Sequence, residues 1–210
     1  MMIYDISMEI KPDMQVYNNN EIKKPIFTVE DDYKTASHFE TRLSLNLHTG
    51  THIDAPLHMI EGGDTLASTP IEKLVTKCKV IDFTYLEDKI CGKDLLVKNI
   101  LKDDFILFKT KNSFTEDFDF NFVFLEKTGA EYLKNIGIKG VGTDSLGIER
   151  DQSSHETHKI LLGAGIPILE GLRLKDVEEG EYFLIAPPIK ILNCEAAPVR
   201  AILIKDQSES

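Results

Sequence analysis

From Leu43 to His58 the chain runs Leu-Ser-Leu-Asn-Leu-His-Thr-Gly-Thr-His-Ile-Asp-Ala-Pro-Leu-His, and this segment constrains the possible folds more than any other. Its first part alternates apolar and polar residues, the period of a strand with one buried face. Leu43, Leu45 and Leu47 are expected to face the core, and Ser44, Asn46 and His48 the opposite side. Gly50 and Pro56 then argue against a helix, because glycine and proline punctuate regular structure. His52, Asp54 and His58 keep the even parity of His48, so a mostly extended backbone would aim all four polar side chains one way. Three of the six histidines and one carboxylate thus fall within eleven residues. Three histidines can group by chance, and a histidine beside a strand is commonly a hydrogen-bonded core or surface residue. Two ligand types, a glycine where the backbone turns closely and a proline at the exit favour a metal. Imidazole and carboxylate without thiolate suit zinc, manganese or iron.

A second constellation lies more than a hundred residues later. Ser153 or Ser154 can cap a short helix that ends at Gly163-Ala164-Gly165. His158 sits inside that helix, and Glu170 ends the short apolar strand that follows. Alone this is a weak signal, since a solvated strand-end glutamate is commoner than a site residue. His155, three residues before His158, lies on a neighbouring helical face and competes with it for any role.

The remaining composition sets outer limits. The 210 residues suffice for one domain with a sizeable core. No linker divides the chain, so one α/β domain is expected over residues 1–205, with a frayed tail at 206–210. No apolar run reaches membrane-spanning length, and the N-terminus lacks a basic-then-apolar leader, which predicts a cytoplasmic protein without a membrane partner. The net charge of −11 argues against nucleic-acid binding, which needs clustered Lys and Arg. Cys78, Cys91 and Cys194 are odd in number and widely spaced, and are expected to be reduced core thiols rather than nucleophiles.

Strands are expected at Met2–Ile6, Ile26–Val29, Arg42–His48, Lys79–Phe83, Phe105–Lys109, Val141–Asp144, Ile166–Leu169, Tyr182–Ala186 and Val199–Lys205. Helices are expected at Pro70–Val75, with Ser68 and Thr69 as cap, and at Lys93–Leu101, Leu125–Ile136 and Ser154–Leu162.

His48-Thr-Gly-Thr-His-Ile-Asp-Ala-Pro-Leu-His58 closely resembles the signature of the cyclase-like metal-dependent hydrolases, which include bacterial kynurenine formamidases and isatin hydrolases. The resemblance extends along most of the chain. It includes Asp5-Ile6-Ser7, Gly62-Gly63-Asp64-Thr65-Leu66, Gly142-Thr143-Asp144-Ser145, His158-Lys159-Ile160-Leu161-Leu162 with Ile168-Leu169-Glu170-Gly171-Leu172, and Ala186-Pro187-Pro188. It implies a mixed β/α fold of the swivelling β/β/α type, assembled as a homo-oligomer, dimer or tetramer.

Carried over residue by residue, the resemblance implies that His48, His52 and Asp54 bind a first divalent metal. Asp54 and Glu170 would bridge to a second that His158 also holds; some relatives hold one metal only. Zinc is the first expectation and manganese the alternative. His58 would be the general acid/base, with orientation of Asp54 as its competing role. The implied reaction is cleavage of an amide or formamide C–N bond by a metal-activated hydroxide, with N-formylkynurenine as the named small-molecule substrate. An isatin-type lactam hydrolase, or a cyclase, would use the same site. A non-enzymatic protein with a structural metal is disfavoured by the absence of Cys ligands, the excess carboxylate and the spare His58.

Tyr17, Asp144 and Ser145 are weaker candidates for substrate contact. The Val16-Tyr17-Asn18-Asn19-Asn20 stretch departs from the family's Pro-Gly-containing version, and the chain has no Trp, so an aromatic shelf must be Tyr or Phe. Phe114, Phe118, Phe120 and Phe122 could form a lid, although core or interface packing is the simpler expectation.

Overall fold

The computed structural model describes residues 1–150 and 152–205. The strands, in chain order, are β1 (Met2–Asp5), β2 (Ile26–Asp31), β3 (Glu40–Ser44), β4 (His52–Asp54), β5 (Val75–Asp82), β6 (Lys89–Ile90), β7 (Phe105–Lys109), β8 (Phe124–Leu125), β9 (Gly140–Thr143), β10 (Ile168–Glu170), β11 (Gly180–Ile185), β12 (Ala196–Pro198) and β13 (Ile202–Lys205). The helices are α1 (Gly92–Leu96), α2 (Lys127–Ile136) and α3 (Glu156–Gly163).

The apolar run Phe105-Ile106-Leu107-Phe108 explains the architecture. A strand with apolar residues at every position must be covered on both faces, as in the parallel part of an α/β sheet. β7 is such a strand: Phe105 and Leu107 enter one core cluster, Ile106 and Phe108 the other. It lies inside a nine-stranded sheet of order β1-β13-β11-β5-β7-β9-β10-β4-β12. The centre, β5-β7-β9-β10, is parallel. The flanks are antiparallel. Helices α2 and α3 cover one face through Ala130, Leu133, Leu161 and Leu162. The result is one mixed α/β domain, as expected.

Several expectations require correction. β3 ends at Ser44 rather than reaching His48, and Leu43 is exposed while Leu45 and Leu47 are only half-buried. The reason is that β3 pairs only with β2, in a two-stranded ribbon that no other layer covers. The leucine alternation therefore has no core to face. Asn46 then stops the strand by accepting from the His48 backbone N–H through Oδ1 at 3.0 Å, a local turn of the Asx kind. The shared-parity argument consequently holds for His52 and Asp54 alone.

The helix expected at Pro70–Val75 is a single 3₁₀ turn, Ile71–Lys73, because Val75 already begins β5, whose Thr76, Cys78 and Val80 alternate into the core. Ser68 does not cap it; its hydroxyl donates to Thr65 O. α1 stops at Leu96, and Asp104 turns the following chain by accepting from Leu101 N. Phe124 and Leu125 pair with β6, so α2 starts only at Lys127, with Glu126 as its cap. It ends as expected at Ile136, where Gly137 caps it in the left-handed region. Neither Ser153 nor Ser154 caps α3, whose N-cap is His155 at φ 52. The three thiols are free, but only Cys78 is buried; Cys91 and Cys194 are half-exposed. Among the described residues no helix is long and apolar enough to cross a membrane. The tail at 206–210 lies outside the described residues.

Candidate metal centre

Strand register assembles the centre. In β4, His52 and Asp54 are two residues apart and so share a face, while Ile53 points into the core behind them. β10 pairs antiparallel with β4 so that Glu170 stands opposite His52. These three side chains are buried. His58 arrives by a 3₁₀ turn, Pro56–His58, and not by continued extension. His48 arrives from the turn that ends the leucine segment, and α3 supplies His158.

Asp54 sits at the middle. His48 Nδ1 lies 3.0 Å and His52 Nε2 3.5 Å from its Oδ1, and His158 Nε2 lies 3.8 Å from its Oδ2. Glu170 spans the same space, with Oε2 3.4 Å from His52 Nε2 and Oε1 3.3 Å from His158 Nε2. The His58 ring is tilted against that of His48, with centroids 4.1 Å apart. Around Asp54, ligand atoms converge in two sets, His48–Asp54–His58 and His52–Asp54–Glu170, and Glu149, His155 and His158 form a further set beside them.

Three fully buried polar atoms, His52 Nε2 and both Asp54 oxygens, have no hydrogen-bond partner. The contacts just described are short in distance but lack hydrogen-bond geometry. Buried polar atoms are normally satisfied, and several unsatisfied ones aimed at one point need a positive partner. Nitrogen and carboxylate donors without thiolate fit a divalent cation.

The outer contacts fix the rings. His52 Nδ1 faces Gly50 O at 2.9 Å, His48 Nε2 faces Glu195 Oε1 at 3.2 Å, and His158 Nδ1 faces Glu149 Oε1 at 2.7 Å. Each carbonyl or carboxylate accepts, so the free nitrogen of each ring points inward. The Ile148 N–H donates to Glu170 Oε1 at 2.6 Å. Gly50 and Gly171 let the two segments cross. Both have positive φ, and a Cβ on Gly171 would lie 2.5 Å from Gly50 O.

Packing these groups together shifts their protonation. Burial works against the imidazolium of His158, yet the hydrogen bond to Glu149 and the adjacent Glu170 carboxylate outweigh it and lift its pKa to about 10. His52 is raised for the same reason, burial being overcome by Glu170 and Asp54. Burial and the charge of Glu170 push Asp54 up, but the adjacent His48 and His52 hold it below the usual carboxylate range. Glu170 is likewise held well down by His158 and His52 against its burial. His58 differs: burial dominates and drops its pKa to about 4, leaving a neutral ring.

A cavity of about 190 Å³ opens onto this cluster, lined among others by Tyr17, His48, His58, His158 and Glu170. Tyr17 is thus at the cavity, held edge-on by Phe118 and Phe122, which are buried packing residues rather than a lid. Phe114 and Phe120 are exposed. Asp144 and Ser145 do not line this cavity. Asp144 is buried and accepts from Thr110, Asn112 and Ser113, fixing the loop after β7. Burial nonetheless raises its pKa. Ser145 is buried against Thr143 and Gly147. His158, inside α3, is 7% exposed within the cluster, whereas His155, the N-cap, is 54% exposed and meets the rim through Glu149 and edge-on contact with the His158 ring. Glu149 and Glu195 were not singled out by the sequence, since each is one acidic residue among 35 with no spacing to mark it.

The fold is an α/β domain, and its buried histidines and carboxylates form groups with the ligand chemistry of a cation site. Residues 4–150 match the family described as "Putative cyclase". Kynurenine formamidase from Salinibacter ruber is 31% identical over 97% of this chain and 97% of its own. A solved structure from Bacillus stearothermophilus, described as a predicted metal-dependent hydrolase, is 46% identical with a TM-score of 0.88, covering 96% of this chain and 97% of that one. Isatin hydrolase A from Labrenzia aggregata shares the fold, with a TM-score of 0.84 at 23% identity over 98% of this chain and 94% of that one. The chain belongs to the cyclase family.

Proposed function

We propose that the chain is a metal-dependent hydrolase that cleaves a non-peptide amide or formamide C–N bond, with N-formylkynurenine as its substrate. The observation that carries this reading is the convergence of orphaned buried donors around Asp54, beside a cavity lined by His48, His58, His158 and Glu170. Relatives named kynurenine formamidase, alike over nearly the whole chain, support the substrate. His48, His52 and Asp54 would hold one divalent cation, and Asp54, Glu170 and His158 a second. Zinc fits first and manganese next. A bound cation supplies Lewis acidity at the amide carbonyl and lowers the pKa of water toward about 7.

His58 acts on protons. Its ring is neutral at physiological pH because of burial, and one of its nitrogens lies among the ligand atoms of His48 and Asp54. It takes the proton lost by attacking water and returns it to the departing amine nitrogen, so amide and water become acid and amine. Because the buried imidazolium is a strong acid, it releases that proton readily. Glu149 and Glu195 hold the His158 and His48 rings, and Tyr17 forms an aromatic wall.

The chain also works as a homo-oligomer in this reading. Ile26, Phe27, Val29 and Leu43 are exposed on the two-stranded β2–β3 ribbon, and such a ribbon is marginal in water on its own. Three free thiols accord with a cytoplasmic setting.

The test is metal content and N-formylkynurenine hydrolysis on one preparation, with His58→Ala and Asp54→Asn. The reading requires turnover that both variants lose, and metal retained in His58→Ala. Bound metal without formamide turnover would move the substrate to a lactam. No bound metal, and no activation by added zinc or manganese, would overturn the reading.

A further inference from the structure

The cavity wall carries one charge with no counter-charge. Glu149 and Glu170 line the cavity but are engaged by histidines. Lys23 also lines it, half-buried, and no carboxylate among the described residues pairs with its ammonium. Its neighbour Lys24 is by contrast paired to Glu21 at 2.7 Å. In a chain with a net charge of −11, a lysine left without an acid beside a binding cavity is conspicuous.

Lys23 is also held in place. Thr49 Oγ1, inside the histidine motif, donates to Lys23 O at 2.7 Å. The Lys23 N–H donates to Asn20 O at 2.9 Å. Its ammonium lies 5.3 Å from the centroid of the Tyr17 ring, a cation–π distance. That ring is fixed in turn by Phe118 and Phe122. Asn46, also lining the cavity, uses its Oδ1 on the His48 N–H, which leaves its amide hydrogens as further donors. The wall around Lys23 therefore offers an aromatic face, a cation and amide hydrogens, while the floor offers the metal ligands.

We propose that Lys23 is a specificity-determining residue that binds an anionic group, a carboxylate, at the end of the substrate remote from the scissile amide. The substrate class is then an aryl or alkyl formamide bearing a carboxylate, in preference to a neutral formamide or lactam. This rests on the hydrolase reading above and narrows it. A lysine ammonium binds such a group as a point charge, and a site built for a charged partner discriminates strongly against an analogue lacking it.

The experiment compares the zinc-loaded wild type with Lys23→Met and Lys23→Arg on N-formylkynurenine and its methyl ester. Calorimetric binding of kynurenine and kynurenine methyl ester is measured alongside. The wild type is expected to favour the acid over the ester on the order of tenfold in kcat/KM and in binding. Lys23→Met should bring both ratios close to one, and Lys23→Arg should retain most of them. A wild type without preference, or Lys23→Met with the wild-type ratios, would overturn the proposal. If the wild type hydrolyses neither formamide, the formamide substrate falls, and the binding ratios alone decide the role of Lys23.

Discussion

Glu149 Oε1 accepts the hydrogen bond of His158 Nδ1 at 2.7 Å, and its other oxygen accepts from the Thr157 backbone N–H at 2.9 Å. One buried carboxylate thus ties the ring to the backbone of its own helix. The proton on Nδ1 is assigned from this contact, because an ionised carboxylate can only accept. His158 Nε2 is then the nitrogen left facing Asp54 and Glu170. Interactions that orient a metal-binding imidazole are commonly worth 10–100-fold in metal affinity.

Replacing Glu149 separates orientation from charge. Glu149→Ala is expected to weaken binding of the more weakly held cation by about 10–100-fold, as read by zinc titration against a competing chelator. Glu149→Gln keeps an acceptor for Nδ1–H and should lose less. Equal zinc affinity in Glu149→Ala and wild type would mean that His158 needs no orienting partner.

Of the three perturbed histidines, His58 and His158 predict opposite pH limbs for the metal-stripped protein, and His52, also raised, acts on the same limb as His158. His58 has a folded pKa of about 4 against an ordinary 6.5, so the unfolded chain binds the proton more readily. Its contribution to stability is present above pH 6.5 and lost as pH falls toward 4. His158 is raised to about 10, so its contribution is present below pH 6.5 and lost as pH rises through 10. Urea denaturation of chelator-treated protein should therefore give greatest stability near pH 6.5. His58→Gln should flatten the slope between pH 6.5 and about 4.5, below which the depressed carboxylates Asp54 and Glu170 add their own loss. An unchanged acid limb in His58→Gln would show that its ring is not held neutral by burial.

The crossing at Gly50 and Gly171 ranks two substitutions. A Cβ on Gly50 would meet the Ile10 side-chain tip at 2.5 Å, which can swing away, leaving mainly the left-handed strain of about 1–2 kcal/mol. A Cβ on Gly171 would meet the Gly50 carbonyl oxygen at 2.5 Å, so backbone itself must move. Gly171→Ala should cost the more in chemical denaturation, on the order of 3 kcal/mol, and should also displace Glu170 and reduce bound zinc. Similar losses for the two variants would mean that strain alone matters there.

The sequence was most legible where one local pattern had one structural outcome. The motif pointed to its donors because histidine, aspartate, glycine and proline each limit chemistry or backbone within eleven residues. The all-apolar Phe105–Phe108 run became a central strand because only two-sided burial suits it. The Leu43–Leu47 alternation misled because period alone does not say whether a layer covers the strand, and here none does. The resemblance to a known family, not spacing, singled out Glu170 and His158, which meet Asp54 only through strand register and helix packing. Asp144 drew notice at a strand end, yet its carboxylate serves the Thr110–Ser113 loop. Glu149 and Glu195 act at long range through single contacts that no local pattern marks.

Asp54 is the one residue shared by both converging donor sets, and both its oxygens are buried without a hydrogen bond. A ligand that binds only the folded state stabilises it by mass action, by about 4 kcal/mol at a thousand times Kd. For a chain of this size that corresponds to a rise in Tm on the order of 10 °C. Zinc should give the wild type such a rise and a chelator should remove it. Asp54→Asn replaces one oxygen with an N–H donor that cannot ligate, and should abolish most of the response. His58→Ala distinguishes two roles for a ring that also lies among the ligand atoms around Asp54. An intact zinc response with lost turnover makes His58 the proton carrier, and a lost response makes it a ligand. An Asp54→Asn variant that zinc still stabilises like wild type would remove Asp54 from the centre of the site.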